Sequence, residues 1–406
     1  MSLMTSRRAF LISSAAAATA FGGTRAFRYS DVESKIARRD FNGITKDDLG
    51  TPALCVDRAL FEQNLRIMAD SNKASGMAIR AHFKIHKSLE ISKKQMAMGS
   101  LGACCATIAE SELMVGAGFK NVLHTCQPAG KNKIWRTADL AARDSTFMVV
   151  ADDPITVDLL DEAAGARKTR ITVLADVYAG LSRHGIDADK GFALAQQIDG
   201  KKNLRLGGLM AYSGIAAHTH TWDKRRDQSR KDVGPMLEIA ALCKRSGLNT
   251  SILTGGSTGT YNIDKEVGLT ELQAGSYVFM DTLYMAIGGK NDPAAYQDFA
   301  PSLTVLTTVI SHNHAGQVTI DAGNKAMLKP TDQVKDRREV TVENQGAEFG
   351  ILKWKDGDGF KLGEKVELYT SNLDTTTNVY DRYYVCDNDR VVDVWPIMGR
   401  TGAVQR

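Results

Sequence analysis

The sequence predicts an α/β protein, a (β/α)8 TIM-like barrel followed by a C-terminal β-rich domain. Two observations carry this. Between residues 51 and 300, short runs rich in Val, Ile and Leu alternate about eight times with stretches of helical apolar spacing, the pattern of a parallel barrel. Near Pro301 the texture changes to strands separated by turns. A third observation weighs against a doubly wound open sheet: no early G-x-G-x-x-G turn is present.

In chain order, residues 1–27 read as a leader. Arg7-Arg8 followed by Phe10-Leu11 and an alanine-rich apolar run resembles a twin-arginine export signal. Ala18-Thr19-Ala20 is a plausible cleavage site. Cleavage there removes two arginines, taking the formal charge from +4 to +4 − 2 = +2. The apolar run is too short for a comfortable membrane span, and the mature protein is expected to be soluble, in the periplasm or outside the cell. Residues 28–50 form a polar lead-in. Thr51–Asp57 is a short apolar strand, expected to return to the second domain. Arg58–Asn72 has helical spacing with Leu60, Phe61, Leu65 and Met68 on one face. Barrel strands are expected at 77–83, 101–106, 121–125, 146–151, 170–176, 206–212, 250–254 and 271–278, with helices between them at 108–116, 155–164, 188–197 and 225–246. The second domain, 301–406, offers strands at 303–311, 317–321, 340–341, 365–369, 383–386 and 391–394. Turns are expected at 355–359 and 387–389.

Composition excludes some classes. Charged residues are 24% and hydrophobic residues 43% of 406, ordinary for a globular enzyme. A formal charge of +4 without a long Lys/Arg block argues against a nucleic-acid partner. Cys55, Cys104, Cys105, Cys126, Cys243 and Cys386 show no metal-binding spacing and read as reduced thiols.

Barrel active sites gather at the C-terminal ends of the strands. Lys84 follows the first strand, between His82 and His86. A lysine made neutral by burial and neighbouring cations forms a Schiff base with an aldehyde, and the two histidines suit proton relay. Thr254-Gly255-Gly256-Ser257-Thr258-Gly259-Thr260 follows the seventh strand. Its glycines allow close backbone approach and its amides and hydroxyls suit phosphate oxygens. A lysine at strand one and a phosphate loop at strand seven together describe a pyridoxal phosphate site. Arg183, after strand five, is placed to stabilise the cofactor's phenolic oxygen. Tyr212 is placed to pack on its ring, and His218 with His220 forms a candidate acid/base pair.

These residues together resemble the D-threonine aldolase/D-serine dehydratase family of fold-type III pyridoxal phosphate enzymes, related to alanine racemase. The lysine motif is His82-Phe83-Lys84-Ile85-His86-Lys87, the arginine turn Gly180-Leu181-Ser182-Arg183-His184-Gly185, and the next strand Gly208–Tyr212. Thr270–Asp281, Asp321–Ala326 and Val391–Ile397 also match. The resemblance implies a homodimer and an amino-acid substrate. It implies that Lys84, with His86 and His218 beside it, is catalytic. Gly256, Ser257, Thr258, Ser276 and Tyr277 would surround the phosphate, with Gly255 and Gly275 shaping the turns. The family's divalent metal, Mn or Zn, is held by a histidine two residues before a Cys or Asp. Here Asp374 remains, but Asn372 stands for the histidine and Phe349 for another. An amide oxygen is a poor substitute for imidazole, so the metal site is degenerate. The expected function is a lyase acting on D-β-hydroxy amino acids, aldolase before dehydratase. A metal-independent racemase or epimerase is the alternative, and a cofactor carrier without turnover a third reading.

Overall fold

In a computed structural model of the chain, residues 27–327, 333–344 and 346–400 are described. The arginine pair and cleavage site expected in the leader lie outside the described residues.

Strand β1, Ala53–Asp57, leads into the helix Arg58–Ser75. Asp57 caps that helix, its Oδ1 accepting from Leu60 N at 3.0 Å, and Gly76 ends it at φ +65°. Phe61, Leu65 and Met68 are buried as their spacing predicts, while Leu60 is only half-buried. The barrel strands follow: β2 (Ala78–Ile79), β3 (Ala81–His82), β4 (Ala103–Cys105), β5 (Leu123–His124), β6 (Met148–Ala151), β7 (Ile171–Asp176), β8 (Leu204–Ala211), β9 (Ile252–Gly255) and β10 (Glu271–Leu272). Neighbours pair in parallel, and β2 pairs with β10 while β3 pairs with β4. The barrel therefore closes on its first strand, which changes partner across Arg80. Helices at Ile108–Gly116, Pro154–Ala166, Ala188–Gly200 and Trp222–Arg245 lie close to their expected spans.

The continuous strands expected over 77–83 and 271–278 are corrected. Arg80 interrupts the first. The second stops at Leu272, and Ser276–Val278 is a 3-10 turn. Gly275 explains the break: a Cβ there would lie 2.6 Å from Ile85 Cγ1 and 2.9 Å from the His82 carbonyl. The backbone of one strand end thus rests directly on the turn that carries Lys84.

The second sheet contains β11 (Leu303–His314), β12 (Gln317–Ile320), β13 (Gln333–Val334), β14 (Thr341–Asn344), β15 (Gly350–Lys353), β16 (Lys365–Tyr369), β17 (Arg382–Asp387) and β18 (Arg390–Pro396). Their order is β12-β15-β14-β13-β16-β11-β1-β17-β18, with β12 also paired to β11. β1 sits inside this sheet, antiparallel to β11 and parallel to β17, so residues 53–57 belong to the second sheet rather than to the barrel. β13 and β15 are additional to the expected strands; two and four residues long, they carry little periodic signal. The polar lead-in contains the helix Tyr29–Ala37, which buries Val32 and Ile36, four residues apart, against Ala53, Tyr384 and Val394. All six cysteines are free thiols, five of them buried. No helix among the described residues is long and apolar enough to cross a membrane.

The seam of the barrel is held by an ion pair. Arg80 Nε and Nη2 reach Glu271 Oε1 and Oε2, each at 3.0 Å, and Nη1 reaches the Asn121 carbonyl. Both side chains of the pair are 4% exposed. Removing one partner of such a pair leaves a buried charge unmatched and costs about 3–5 kcal/mol. Arg80→Leu should therefore lower unfolding stability in denaturant by about that amount. Arg80→Leu/Glu271→Leu should recover much of it; a double variant no better than the single one would contradict this account.

Candidate active site

A cavity of about 300 Å³ opens at the C-terminal ends of the barrel strands and is closed on one side by Asn372–Asp374 of the second domain. Of the residues singled out in the sequence, His82, Lys84, Arg183, Tyr212, His218, Ser257, Thr258, Gly275, Ser276, Asn372 and Asp374 line it. Thr125, His184 and Asp281 line it as well.

Lys84 stands on the 3-10 turn Phe83–Ile85 that ends β3. Its Nζ lies 2.9 Å from Asp374 Oδ2. Burial acts to lower the amine's pKa, but Asp374 and Tyr212 outweigh it and the pKa is raised. The neutral amine expected from the sequence is thus not the state of this form, in which Asp374 holds Lys84 as an ammonium. The other oxygen of Asp374, Oδ1, is buried with no hydrogen-bond partner among the described residues.

Lys87 fixes this pair. It is 5% exposed, with its backbone at φ +52°. Its Nζ donates to Lys84 O at 2.5 Å, Asp374 O at 3.0 Å and Thr377 Oγ1 at 3.2 Å. Its carbonyl accepts from Met398 N at 2.9 Å and Gly399 N at 3.0 Å. Burial lowers the Lys87 pKa.

Five of the sequence assignments do not reach the cavity. In an extended strand His82, Lys84 and His86 would share one face. The 3-10 turn, at three residues per turn, rotates His86 away. His86 is fully buried, its Nε2 3.2 Å from Gln95 Oε1 and its Nδ1 accepting from Ser88 N at 3.2 Å. Burial lowers its pKa to about 3. Tyr277 is turned inward in the same way: its hydroxyl accepts from Gln95 Nε2 at 3.1 Å, and only its backbone faces the loop, donating to Thr258 Oγ1 at 2.9 Å. Gly255 and Gly256 sit behind the lining; Gly256, at φ +71°, packs where a Cβ would strike the Asp264 carboxyl. His220 is exposed and away from the lining.

His218 ends the helix Gly214–His218 and its ring centroid lies 4.5 Å from that of Tyr284. Burial, then the charge of Lys84, lowers its pKa, so the imidazole is neutral near pH 7. His82 is lowered further, by burial first and Lys84 second. Its Nδ1 accepts from Lys84 N at 3.4 Å. Arg183 lies over the Tyr212 ring, 5.6 Å from its centroid. Its Nε donates to His184 Nε2 at 3.1 Å, and His184 Nδ1 is 2.7 Å from the buried carboxylate of Asp176. His184 and Asp176 were not among the sequence's candidates. Their signal was the arginine turn itself, where only Arg183 carried a role.

The geometry fits pyridoxal phosphate. An amine stands on one wall. Two loop segments, Ser257-Thr258 and Gly275-Ser276, provide hydroxyls and close backbone approach on another. Arg183 and the Tyr212 ring line the same cavity. A histidine-anchored divalent metal does not fit the residues present. The Asn372 amide oxygen caps the helix Leu373–Thr377, accepting from Thr375 N at 3.1 Å and Thr375 Oγ1 at 3.0 Å. One Asp374 oxygen is on Lys84. Among the described residues no group of three or more His, Cys, Asp or Glu side chains is arranged to hold a metal ion.

Comparison with known proteins matches residues 56–283 to the alanine racemase N-terminal domain and residues 302–386 to a putative serine dehydratase domain. The chain is 31% identical over 367 residues to a 3-hydroxy-D-aspartate aldolase of Paracoccus denitrificans (strain Pd 1222), covering 88% of this chain and 94% of the relative. It is 32% identical to a D-threonine aldolase of Arthrobacter sp over 355 residues, 86% of this chain and 92% of the relative. The crystal structure of D-threonine aldolase from Filomicrobium marinum superimposes with a TM-score of 0.81 at 32% identity, over 87% of this chain and 96% of that one.

Asp281 gives the cavity a stability signature. Burial raises its pKa to about 7, above the ordinary carboxylate value, against the hydrogen bonds it accepts, among them Tyr284 N at 2.9 Å. A carboxyl raised on folding stabilises the protein fully below its unfolded pKa of about 4 and loses that contribution as pH rises through about 7. Asp281→Asn should therefore gain on the wild type by several degrees in Tm between pH 5 and pH 8. A Tm difference that is the same at both pH values would contradict the assignment.

Proposed function

The chain belongs to the D-threonine aldolase/D-serine dehydratase family, and from that premise we propose a pyridoxal phosphate-dependent lyase that cleaves D-β-hydroxy amino acids between Cα and Cβ. The observation that carries the reading is the Lys84 amine in one cavity with the Ser257-Thr258 and Gly275-Ser276 segments and the neutral imidazole of His218.

Lys84 is the amine that would bind the cofactor's aldehyde. Ser257, Thr258, Gly275 and Ser276 would hold its phosphate, Arg183 would stabilise its phenolic oxygen, and Tyr212 would pack against its ring. Once bound, pyridoxal phosphate supplies an electron sink for the pair left at Cα when a bond to it breaks. His218 accepts the proton of the substrate β-hydroxyl. The hydroxyl carbon becomes the carbonyl of an aldehyde as the Cα–Cβ bond breaks. Lys84 Nζ then delivers a proton to Cα, and the amino acid released from D-threonine is glycine. Asp374 receives the Lys84 ammonium whenever that amine is free of cofactor. Cleavage asks for a base at the hydroxyl. Elimination asks for departure of hydroxide, and the donor set at Asn372–Asp374 provides no histidine-anchored cation to assist it. This supports aldolase over dehydratase.

The reading includes a homodimer in solution and export by the twin-arginine route, supported by Arg7-Arg8 and the apolar run after them. Replacing both arginines by lysine should leave the protein in the cytoplasmic fraction.

The loaded protein, incubated with D-threonine, D-serine, D-alanine and their L-forms in Mn, Zn or chelator, should release glycine and acetaldehyde from D-threonine, also under chelation. Lys84→Ala should abolish turnover, and His218→Ala should lower kcat by about 10²- to 10⁴-fold. Pyruvate from D-serine as the main product would make the protein a dehydratase. Inversion of configuration without cleavage would make it a racemase.

A further inference from the structure

Arg225, on the helix Trp222–Arg245, is the largest fully buried side chain among the described residues. The chemistry above gives it no task. Among the described residues its guanidinium donates only to backbone carbonyls: Nε to Gly259 at 2.9 Å, Nη1 to Thr219 at 3.1 Å and Ile287 at 2.7 Å, and Nη2 to Gly288 at 2.7 Å. Among the described residues no carboxylate forms an ion pair with it. Asp298, the acidic group whose charge it feels, is engaged by Tyr261 Oη at 3.0 Å and Asn262 Nδ2 at 3.2 Å. A buried cation without a contacting anion is costly, and this one sits behind the glycine loop.

The loop is fastened at a second point. Tyr296, whose ring lies 5.5 Å from the Arg225 guanidinium carbon, donates its hydroxyl to Thr258 O at 2.6 Å. Two successive carbonyls, those of Thr258 and Gly259, are thus drawn toward the protein interior. In a trans peptide the N–H points opposite to the C=O. The Gly259 N–H therefore faces away from Tyr296, toward the side on which Ser257 and Thr258 line the cavity. Arg225 also ties down the Thr219 carbonyl, next to His218. The acidic group behind the loop, Asp264 at the start of the helix Asp264–Val267, is occupied by Thr260 Oγ1 at 2.5 Å and Ser229 Oγ at 2.8 Å.

We infer that Arg225 and Tyr296 are the positioning residues of the phosphate seat: they turn the loop carbonyls away from the anion, and the guanidinium places a positive charge behind the loop. This rests on the reading that the cofactor's phosphate occupies the Ser257-Thr258 and Gly275-Ser276 segments. The role is electrostatic and orienting, exerted through the backbone of the loop.

Pyridoxal phosphate and pyridoxal offer the same aldehyde to Lys84 and differ in the phosphate, so the ratio of their affinities isolates the seat. Both are titrated by visible absorbance into the wild type, Arg225→Lys, Arg225→Gln, Tyr296→Phe and Lys84→Ala. The wild type should prefer pyridoxal phosphate. Arg225→Gln should lower that preference about tenfold or more, with pyridoxal affinity nearly unchanged. Arg225→Lys, which keeps the charge but loses the fork of donors, should fall between. Tyr296→Phe removes a single hydroxyl and should lower the preference by a smaller factor. If the arginine variants do not fold, Tyr296→Phe decides, and an unchanged ratio overturns the inference. Equal weakening of both ligands would make Arg225 merely structural and would also overturn it. If Lys84→Ala binds pyridoxal phosphate with the wild-type absorbance, the cofactor reading itself fails and the inference falls with it.

Discussion

A single buried ammonium, that of Lys87, sets the geometry on which the site depends. Its three hydrogen bonds gather the Lys84 carbonyl from the barrel and the Asp374 carbonyl and Thr377 hydroxyl from the second domain. Its own carbonyl is held by the segment that follows β18. An ammonium removed from water tolerates such a position only when its donors are satisfied, and here two of the three bonds also join the barrel to the second domain. The distance between Lys84 Nζ and Asp374 Oδ2 follows from this arrangement. So does the placement of the cavity on the seam between the domains. β1 reinforces the seam, because it leaves the second sheet and runs directly into the helix that packs on the barrel.

Charge is distributed in the cavity with a purpose that burial makes legible. Lys84 and Arg183 are cations held by acidic partners, Asp374 directly and Asp176 through His184. Burial and the nearby charge of Lys84 lower the pKa of His82 and of His218. A neutral imidazole next to a cation suits proton acceptance. Asp374 keeps the lysine charged until an aldehyde arrives, and its buried Oδ1, without a partner among the described residues, leaves acceptor capacity beside it. Behind the lining, Arg225 and Tyr296 orient the loop. The site is therefore built in two layers, with polar side chains in front and carbonyl-binding side chains behind.

Much of this was legible in the sequence because it depends on local pattern. The alternation of apolar strands and amphipathic helices gives the barrel, and Lys84, Ser257, Thr258, Gly275 and Arg183 fall at strand ends where barrel chemistry collects. What was not legible depends on direction. His86 lies in a motif that reads as catalytic and Tyr277 in one that reads as phosphate-binding, but 3-10 turns rotate both side chains into the core. The tyrosine serves through its backbone. Arg225 sits in a polar helix, where an arginine normally marks a solvated face; only the tertiary packing shows that it is fully buried. The two-residue strands β2, β3 and β10 owe their ends to Arg80 and Gly275, long-range contacts with no periodic signature.

The central claim is that Lys84, and not its neighbour Lys87, carries the cofactor. Reducing the pyridoxal phosphate-loaded protein with borohydride, digesting it and mapping the phosphopyridoxyl group by mass spectrometry tests this directly. The label is expected on Lys84 alone, with Lys87 unmodified because its buried amine is committed to three oxygens. A label on Lys87, or on a lysine outside the cavity, would contradict it.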